Sequence, residues 1–218
     1  MAGVTKRFIE YGGHRFHERA HPDAYELALG IVPTLPRGRA LDLGAGAGLT
    51  SFRIRESGFH VVAADVNAEQ FVPKDICCHK IDLDQPLPFA EGEFDLVMAL
   101  EIVEHLESPR AFLREVARVL RPGGTLILST PNIVSWQSKW RFLFRSEFTL
   151  FFNASTRVRD PFCEEASGHI SPLLPWLLDS FLQDAGFEPP SRRFTRCLGI
   201  RSRCLAQTVV LQTSRLSA

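Results

Sequence analysis

The chain has 218 residues, of which 45% are hydrophobic and 23% are charged, as is usual for a globular protein with one large core. Its 25 basic and 25 acidic side chains cancel, which argues against nucleic acid or an anionic membrane as the main partner, so any such binding must be local. Five cysteines without a C-x-x-C pair argue against a disulfide framework or a cysteine zinc site. Residues 1–10 lack the apolar core of a signal peptide, and no apolar run approaches the ~18 residues of a membrane span. We therefore expect a cytoplasmic protein whose residues 1–218 form a single domain.

The first predicted element is a helix. Apolar residues recur at helical spacing between Ala24 and Ile31, and Pro22 with Asp23 suits a first helical turn. We expect residues 1–38 to form an N-terminal helical cap ahead of the first strand.

Short apolar runs that end in Gly or Asp then alternate with segments that resemble helices. Five predicted strands span residues 39–43, 60–65, 80–83, 94–99 and 125–129, with helices near 49–57, 68–72 and 108–120. This alternation is typical of βαβ units and a parallel sheet. After Gly186 two further strands, 192–197 and 205–213, follow each other without a helix and predict an antiparallel hairpin at one edge. The expected fold is α/β: a doubly wound, mostly parallel seven-stranded Rossmann-like sheet with an antiparallel C-terminal edge hairpin.

Residues 132–168 interrupt this alternation with a segment rich in aromatic and basic residues. Trp136, Trp140 and Phe144 lie at i, i+4 and i+8, which predicts one face of a helix. We expect a variable lid that packs over a substrate site. The alternative is a helix that lies on a membrane surface or against a lipid-linked acceptor. The basic residues off the aromatic face are Lys139, Arg141 and Arg145.

The first predicted strand runs into the turn Gly44-Ala45-Gly46-Ala47-Gly48. Glycine removes side chains that would collide with a ligand, so a small molecule is expected to approach this backbone. Leu49 stands where the dinucleotide fingerprint G-x-G-x-x-G has its last glycine, which weakens a nicotinamide interpretation. Asp42 would repel a pyrophosphate but attract a cationic amino-acid group. A tight turn without a ligand is the alternative.

Two further acidic residues stand where a nucleoside would need them. Asp65 ends the second strand 19 positions after Gly46, where a carboxylate accepts both ribose hydroxyls. Asp82 ends the third predicted strand and would accept from an adenine amine, with the Leu83 amide facing the ring. For Asp65 the alternative is a helix cap or a turn, and for Asp84 a solvated turn is nearly as good an interpretation.

Together these motifs resemble the class I S-adenosylmethionine-dependent methyltransferases, in particular their ubiquinone-biosynthesis-like branch, over residues 40–187. Further elements in the expected order are FDLVMA at 94–99, EIVEHL at 101–106, LRPGG at 120–124, STPN at 129–132 and DAGF at 184–187. The resemblance implies that the glycine turn and Asp42 hold the methionine part, Asp65 the ribose and Asp82 the adenine. The implied cofactor residues are Asp42, Gly44, Ala45, Gly46, Gly48, Asp65, Val66, Asp82, Leu83 and Leu100.

The motif E-x-x-E-H at residues 101–105 contains the candidate catalytic and metal-binding residues. Glu101, Glu104 and His105 lie at i, i+3 and i+4, which on a helical turn places them on one face. Such a set suits a hard divalent cation, Mg²⁺ or Mn²⁺, that holds two oxygens of a diol or catechol. His169 is a candidate fourth ligand and resembles the last histidine of E-x-x-E-H…H sites in some small-RNA 2′-O-methyltransferases. In the alternatives the motif is framework, or His105 acts as a general base without metal; His105 and His169 are the candidate catalytic residues.

The sequence thus predicts a methyltransferase that uses S-adenosylmethionine to O-methylate a small or medium acceptor: a glycan, a lipid-linked sugar or a quinone-like phenol. A second hypothesis is an RNA 2′-O-methyltransferase, which the E-x-x-E-H motif favours and the zero net charge opposes. A third is a non-catalytic module that has kept the cofactor fold, which the intact glycines and Asp65 oppose.

Overall fold

The computed structural model of the protein describes residues 8–17, 22–146, 148, 151, 169–197 and 199–217. The strands of this part of the chain are β1 (Phe8–Tyr11), β2 (His14–His17), β3 (Arg39–Leu43), β4 (His60–Asp65), β5 (Cys77–Lys80), β6 (Phe94–Leu100), β7 (Leu120–Pro131), β8 (Ser191–Phe194), β9 (Arg196–Cys197), β10 (Ile200–Arg201) and β11 (Thr208–Ser214). The α-helices are α1 (Pro22–Leu29), α2 (Leu49–Glu56), α3 (Pro109–Val119), α4 (Trp136–Arg145) and α5 (Pro175–Asp184). Short 3₁₀ turns cover Val32–Thr34, Ala68–Gln70 and Val103–His105.

Seven strands form one sheet in the order β5-β4-β3-β6-β7-β11-β8. The strands from β5 to β7 pair in parallel, whereas β11 is antiparallel to both β7 and β8. After β3 the chain adds strands on one side, and it then returns to place β6 on the other side of β3. The doubly wound Rossmann-like sheet and its antiparallel C-terminal edge hairpin are thereby confirmed.

The sheet is covered on both faces, because its strands alternate their apolar side chains between two cores. On β6, Val97 and Ala99 belong to the core that contains α3 and α5. Leu96 and Met98 point the other way, into the core formed with α1 and Ile54 of α2. Central parallel strands that are apolar on both faces are typical of this architecture.

The third predicted strand is wrong in position. It was expected at 80–83, but β5 ends at Lys80. This edge strand is largely solvent-exposed and carries no apolar pattern, whereas Ile81 and Leu83 belong to the following loop and reach into the core. The apolar residues at 81 and 83, on which the strand prediction rested, therefore belong to the loop after β5. The helix predicted at 68–72 is likewise only the 3₁₀ turn Ala68–Gln70.

The N-terminal cap contains a hairpin that the sequence analysis did not predict. Strands β1 and β2 pair antiparallel ahead of α1. Phe16 on β2 is fully buried against Ala47, Leu49 and Phe52, so the hairpin packs directly on the glycine turn and the start of α2. A second unpredicted hairpin, β9 with β10, follows β8.

The predicted lid begins with α4, whose N-cap Ser135 accepts a hydrogen bond from the Ser138 amide. Of residues 147–168, only 148 and 151 lie within the described part. None of the helices in the described ranges is long and apolar enough to cross a membrane.

Candidate functional site

The candidate site lies where the parallel strands end. Leu43, Asp65 and Leu100 are the last residues of the adjacent strands β3, β4 and β6. The strand order reverses between β3 and β6, and in open α/β sheets a ligand crevice forms at such a point. The fold therefore brings the glycine turn, the Asp65 loop and the E-x-x-E-H segment to one edge of the sheet.

The glycine turn is tied to the neighbouring strand by its own backbone. The amides of Gly44 and Ala45 both donate to the Ala64 carbonyl, at 2.8 and 3.1 Å. Gly44 has a φ of 72°, and a Cβ at this position would lie 2.0 Å from Cδ1 of Ile102. The positive φ therefore favours glycine here, and a Cβ would in addition displace the end of the Ile102 side chain; both effects are separate from any close approach of a ligand.

Asp65 joins the two halves of the expected nucleoside site. Its carboxylate accepts from the amides of Gly46 and Asn67, each at 2.8 Å, and the residue is 7% exposed. An ionised carboxylate has further acceptor positions, so these two bonds fix its orientation and leave capacity for hydroxyl donors. Val66, next to it, leaves 42% of its surface exposed at the same edge.

Asp42 lies beneath the turn and is almost completely buried. Its carboxylate accepts from the Ser51 hydroxyl on α2 at 2.5 Å. Burial raises the pKa of Asp42 from 3.8 to about 7; Ser51 opposes this rise and the nearby Asp65 adds to it. Asp42 therefore changes its charge near neutral pH, and a cation placed above the turn would favour the ionised form.

The residues expected to contact adenine lie in the loop after β5. The Ile81 amide donates to the Asp65 carbonyl at 3.1 Å, which places the start of this loop beside the end of β4. Asp82 is exposed, with its Oδ1 accepting from the Asp84 amide at 3.0 Å, while Leu83 is buried. Asp84 lies half-exposed in a turn and accepts from the amides of Glu107 and Ser108, which holds the segment before α3 against this loop.

Three side chains of the predicted metal set converge. Ligand atoms of Glu104, His105 and His169 lie within 4.8 Å of one another. Glu104 is fully buried, and within the described residues neither of its carboxylate oxygens has a hydrogen-bond partner. Burial raises the pKa of Glu104 well above 4.5, and the Glu101 carboxylate adds to this; the Glu104 backbone and the Thr130 hydroxyl lie near enough to oppose the rise, although neither forms a hydrogen bond with the carboxylate. Burying an ionised carboxylate without hydrogen bonds destabilises the fold, because the charge loses its hydration, and a bound cation would offset this loss.

His169 is held beside Glu104 by backbone contacts across the site. The amides of Ile170 and Ser171 both donate to the Glu104 carbonyl at 2.9 Å. The rings of His105 and His169 meet edge to face at 4.5 Å. Burial and the nearby His105 lower the pKa of His169 to about 4, and its Nδ1 is buried without a partner among the described residues. A neutral imidazole with an unused nitrogen is suited to bind a metal ion.

Glu101 is not among the three residues whose ligand atoms converge, although its carboxylate is near enough to raise the pKa of Glu104. It has a φ of 55° and precedes the 3₁₀ turn Val103–His105, so it does not share a helical face with Glu104 as the sequence spacing predicted. Its carboxylate instead accepts from the Ser129 hydroxyl at 2.7 Å. Burial raises the pKa of Glu101 to about 7 and Ser129 opposes that rise. Glu101 as a metal ligand stays a prediction.

Sequence reasoning missed the hydroxyl partners of the buried acids. Ser51 holds Asp42, and Ser129 holds Glu101. Ser51 and Ser129 lie 9 and 28 positions from their acids in the sequence. Serine is also a common residue that does not by itself indicate a buried acid beside it, so only the fold reveals these pairs. The N-terminal hairpin against the glycine turn was missed for the same reason.

Comparison with known proteins shows a partial similarity of this chain to methyltransferases. The methyltransferase domain family matches residues 41–128, from the glycine turn through most of β7. A ubiquinone biosynthesis O-methyltransferase from a Caulobacter species is 35% identical over 105 residues, 43% of this chain and 41% of that protein. A demethylmenaquinone methyltransferase from Corynebacterium urealyticum is 32% identical over 154 residues, 66% of this chain and 62% of that protein.

Residues 41–128 therefore resemble a methyltransferase domain. The fold of the chain agrees with a crystal structure from Thermotoga maritima described as a SAM-dependent methyltransferase, with a TM-score of 0.62 and 17% identity over 88% of this chain and 90% of that one. At that identity the likeness concerns the fold alone. The chain spans about two fifths of the length of the ubiquinone relative.

Proposed function

We propose that the protein transfers the methyl group of S-adenosylmethionine to an oxygen of a small or medium acceptor: a quinone-like phenol, a glycan or a lipid-linked sugar. The partial similarity to ubiquinone biosynthesis O-methyltransferases supports a phenolic oxygen. The observation that carries the proposal is the buried Glu104 carboxylate, which lies without a hydrogen-bond partner among the described residues beside two imidazoles. A divalent cation bound there would hold the acceptor oxygen in place for methyl transfer.

The cofactor would lie over the glycine turn. Asp42 would face its cationic amino-acid end, Asp65 would accept from the ribose hydroxyls, and the loop at Asp82 and Leu83 would border the adenine. In this arrangement the Asp65 carboxylate, fixed by two backbone amides, orients the nucleoside. Leu100, at the end of β6, would lie beside the cofactor and exclude water there.

The residues at the E-x-x-E-H segment fit a hard divalent cation such as Mg²⁺ or Mn²⁺. Glu104, His105 and His169 would hold it, with Glu101 as a further candidate ligand. Such an ion supplies Lewis acidity and a template for two neighbouring acceptor oxygens.

The chain's own residues then have two tasks: alignment and proton removal. The acceptor oxygen attacks the methyl carbon, the carbon–sulfur bond breaks, and its electron pair stays on sulfur, which leaves S-adenosylhomocysteine. The acceptor proton must leave: the pKa of the acceptor hydroxyl would be lowered beside a bound ion, whereas without a metal ion His105 is the candidate base, because the pKa of His169 is lowered to about 4.

A chelator titration tests the metal part of this proposal. We expect excess chelator to stop methyl transfer and added Mg²⁺ or Mn²⁺ to restore it, while S-adenosylmethionine binding measured by calorimetry stays unchanged. Full turnover in excess chelator would exclude the metal and leave His105 as base, or positioning alone, as the catalytic device.

An RNA 2′-hydroxyl is the second candidate acceptor, because the convergence of Glu104, His105 and His169 also fits that chemistry. Offering phenols, glycans and short RNAs to the same preparation would distinguish the two, with methylation read by mass spectrometry.

A further inference from the structure

Two segments carry basic side chains without acidic ones. Helix α4 contains Lys139, Arg141 and Arg145 and no acid, and no acidic residue follows Glu188 in the sequence. The arginines of this second segment are Arg192, Arg193, Arg196, Arg201, Arg203 and Arg215. The zero net charge of the chain conceals this local excess.

The fold joins the two segments into one surface. The Trp136 amide at the start of α4 donates to the Cys204 carbonyl at 2.6 Å. The buried Asn132 side chain donates to the carbonyls of Arg203 and Ala206, at 2.8 and 2.9 Å. We call α4 together with residues 199–207 the α4–β10 face.

This face is also apolar to an unusual degree. Leu143 and Phe144 leave 71% and 70% of their surface exposed, and Ile200 on β10 is exposed as well. Trp136, Trp140 and Phe142 are exposed on the same helix, in which Ser138 is the buried residue. Large aliphatic and aromatic side chains therefore stand among cations.

Among the described residues, the ion pairs of the arginine-rich segment lie outside residues 199–207. Arg192 pairs with Asp179 and Arg215 with Glu91, and Asp23 accepts from the Arg196 backbone amide. Arg201 and Arg203 are exposed, and neither has an ion pair within the part of the chain that the structure describes. The centre of the face therefore keeps its positive charge.

We propose that the α4–β10 face binds the surface of a membrane that contains anionic lipids. Exposed aromatic and aliphatic side chains enter the boundary between headgroups and acyl chains, and basic side chains beside them pair with anionic headgroups. This inference goes beyond the proposed function and does not depend on it.

The same residues fit single-stranded RNA less well. Base stacking needs free aromatic faces, but the rings of Trp140 and Phe144 already stack on each other at 4.9 Å and 5°. Leu143 and Ile200 offer no ring at all. A lipid surface accepts aliphatic and aromatic groups alike, whatever their orientation.

Sedimentation with lipid vesicles tests the proposal. We expect the chain to sediment with phosphatidylcholine vesicles that contain phosphatidylglycerol, much less with phosphatidylcholine alone, and less as salt is added. The double variant Arg201→Glu with Arg203→Glu should weaken binding at least about tenfold, because each basic residue near an anionic surface contributes to the attraction. Leu143→Ser with Phe144→Ser should weaken binding to both kinds of vesicle.

A matched control reverses two exposed charges elsewhere: Lys74→Glu in the turn before β5, at the opposite edge of the sheet, with Arg114→Glu on α3. This control should sediment like the unaltered chain, and the Arg201 and Arg203 variant should keep its thermal unfolding temperature and its affinity for S-adenosylmethionine. The proposal is overturned if no vesicle binds the chain, or if the control loses binding equally. It is also overturned if fluorescence anisotropy with a short single-stranded RNA shows binding that depends on these arginines while vesicles do not bind.

Discussion

At the scale of single residues, the buried carboxylate of Glu104 is the group that a bound ligand would stabilise most. Its carboxylate is fully buried, and its neighbours are the acid Glu101 and the two imidazoles of His105 and His169. The raised pKa means that folding favours the protonated form, so this acid contributes less stability as pH rises above its ordinary range near 4.5. We attribute this cost to function, because proteins tolerate such groups mainly at active sites.

Glu104→Gln should therefore stabilise the metal-free protein and stop metal-dependent turnover. The amide keeps the shape but removes the ionisable group, and about 1 kcal/mol shifts the unfolding temperature of a domain of this size by about 2–4 °C. Calorimetric scans at neutral pH should show a rise of this order. The exposed Glu91→Gln is the control and should leave the temperature unchanged. A lower unfolding temperature in Glu104→Gln would mean that the carboxylate stabilises the fold through an interaction of its own.

Asp42 should make cofactor affinity depend on pH. Its pKa is raised to about 7 by burial, so acidification protonates it and removes the charge that would face the cationic end of S-adenosylmethionine. Affinity measured by calorimetry should fall as pH decreases from about 8 to about 6. In Asp42→Asn this dependence should vanish, and the affinity should stay at the weaker level.

The same substitution has a predicted effect on stability. The pKa of Asp42 rises on folding from 3.8 to about 7, so its favourable contribution is present at low pH and is lost as pH rises through that window. Asp42→Asn should therefore gain more unfolding free energy relative to the unaltered chain at about pH 8 than at about pH 5. An equal difference at both pH values would show that Asp42 does not titrate as the structure implies.

At the scale of elements, backbone conformation and side-chain packing fix the turn between β3 and α2 without a ligand. Gly44→Ala would place a Cβ against Ile102 and hold alanine at a positive φ, which should cost about 2–4 kcal/mol of unfolding free energy. Gly186 has a φ of 87°, but nothing in the described part of the chain lies within 4 Å of a Cβ added there. Gly186→Ala should therefore lower the free energy of unfolding by only about 1 kcal/mol. Urea titration of both variants measures the difference. Equal losses would mean that strain alone, and not the contact with Ile102, decides the residue at 44.

The sequence predicts the buried elements of this fold well and the exposed ones poorly. Strands β3, β4 and β6 were found to within a residue because each is apolar on both faces. The edge strand β5 and the hairpins β1–β2 and β9–β10 were misplaced or missed, since pairing there depends on contacts distant in the chain. The same limit applies to Glu101: spacing predicts a shared helical face, but a left-handed backbone at this residue turns it toward Ser129.

At the scale of the whole molecule, the two covered faces of the sheet leave its carboxyl edge as the place for chemistry. The glycine turn, Asp65 and the Glu104 cluster come from the ends of different strands, and no single segment contains the site. The distribution of charge is also a property of the whole molecule: the net charge is zero, but α4 and residues 199–207 together form a basic face. The overall composition allows such binding only as a local feature, and the fold brings the basic residues of the two segments together on one face.

Cofactor binding at Asp65 tests the central claim most directly. Calorimetric titration of the unaltered chain with S-adenosylmethionine should show one site per chain, and Asp65→Ala should lose at least about tenfold in affinity, because a charged acceptor for the ribose hydroxyls contributes more than about 1.4 kcal/mol. Asp84→Ala, which removes an acid of the adjacent loop that only fastens the approach to α3, should bind as the unaltered chain does. An unaltered chain that does not bind S-adenosylmethionine, or an Asp65→Ala variant with unchanged affinity and an intact fold by circular dichroism, would contradict the account.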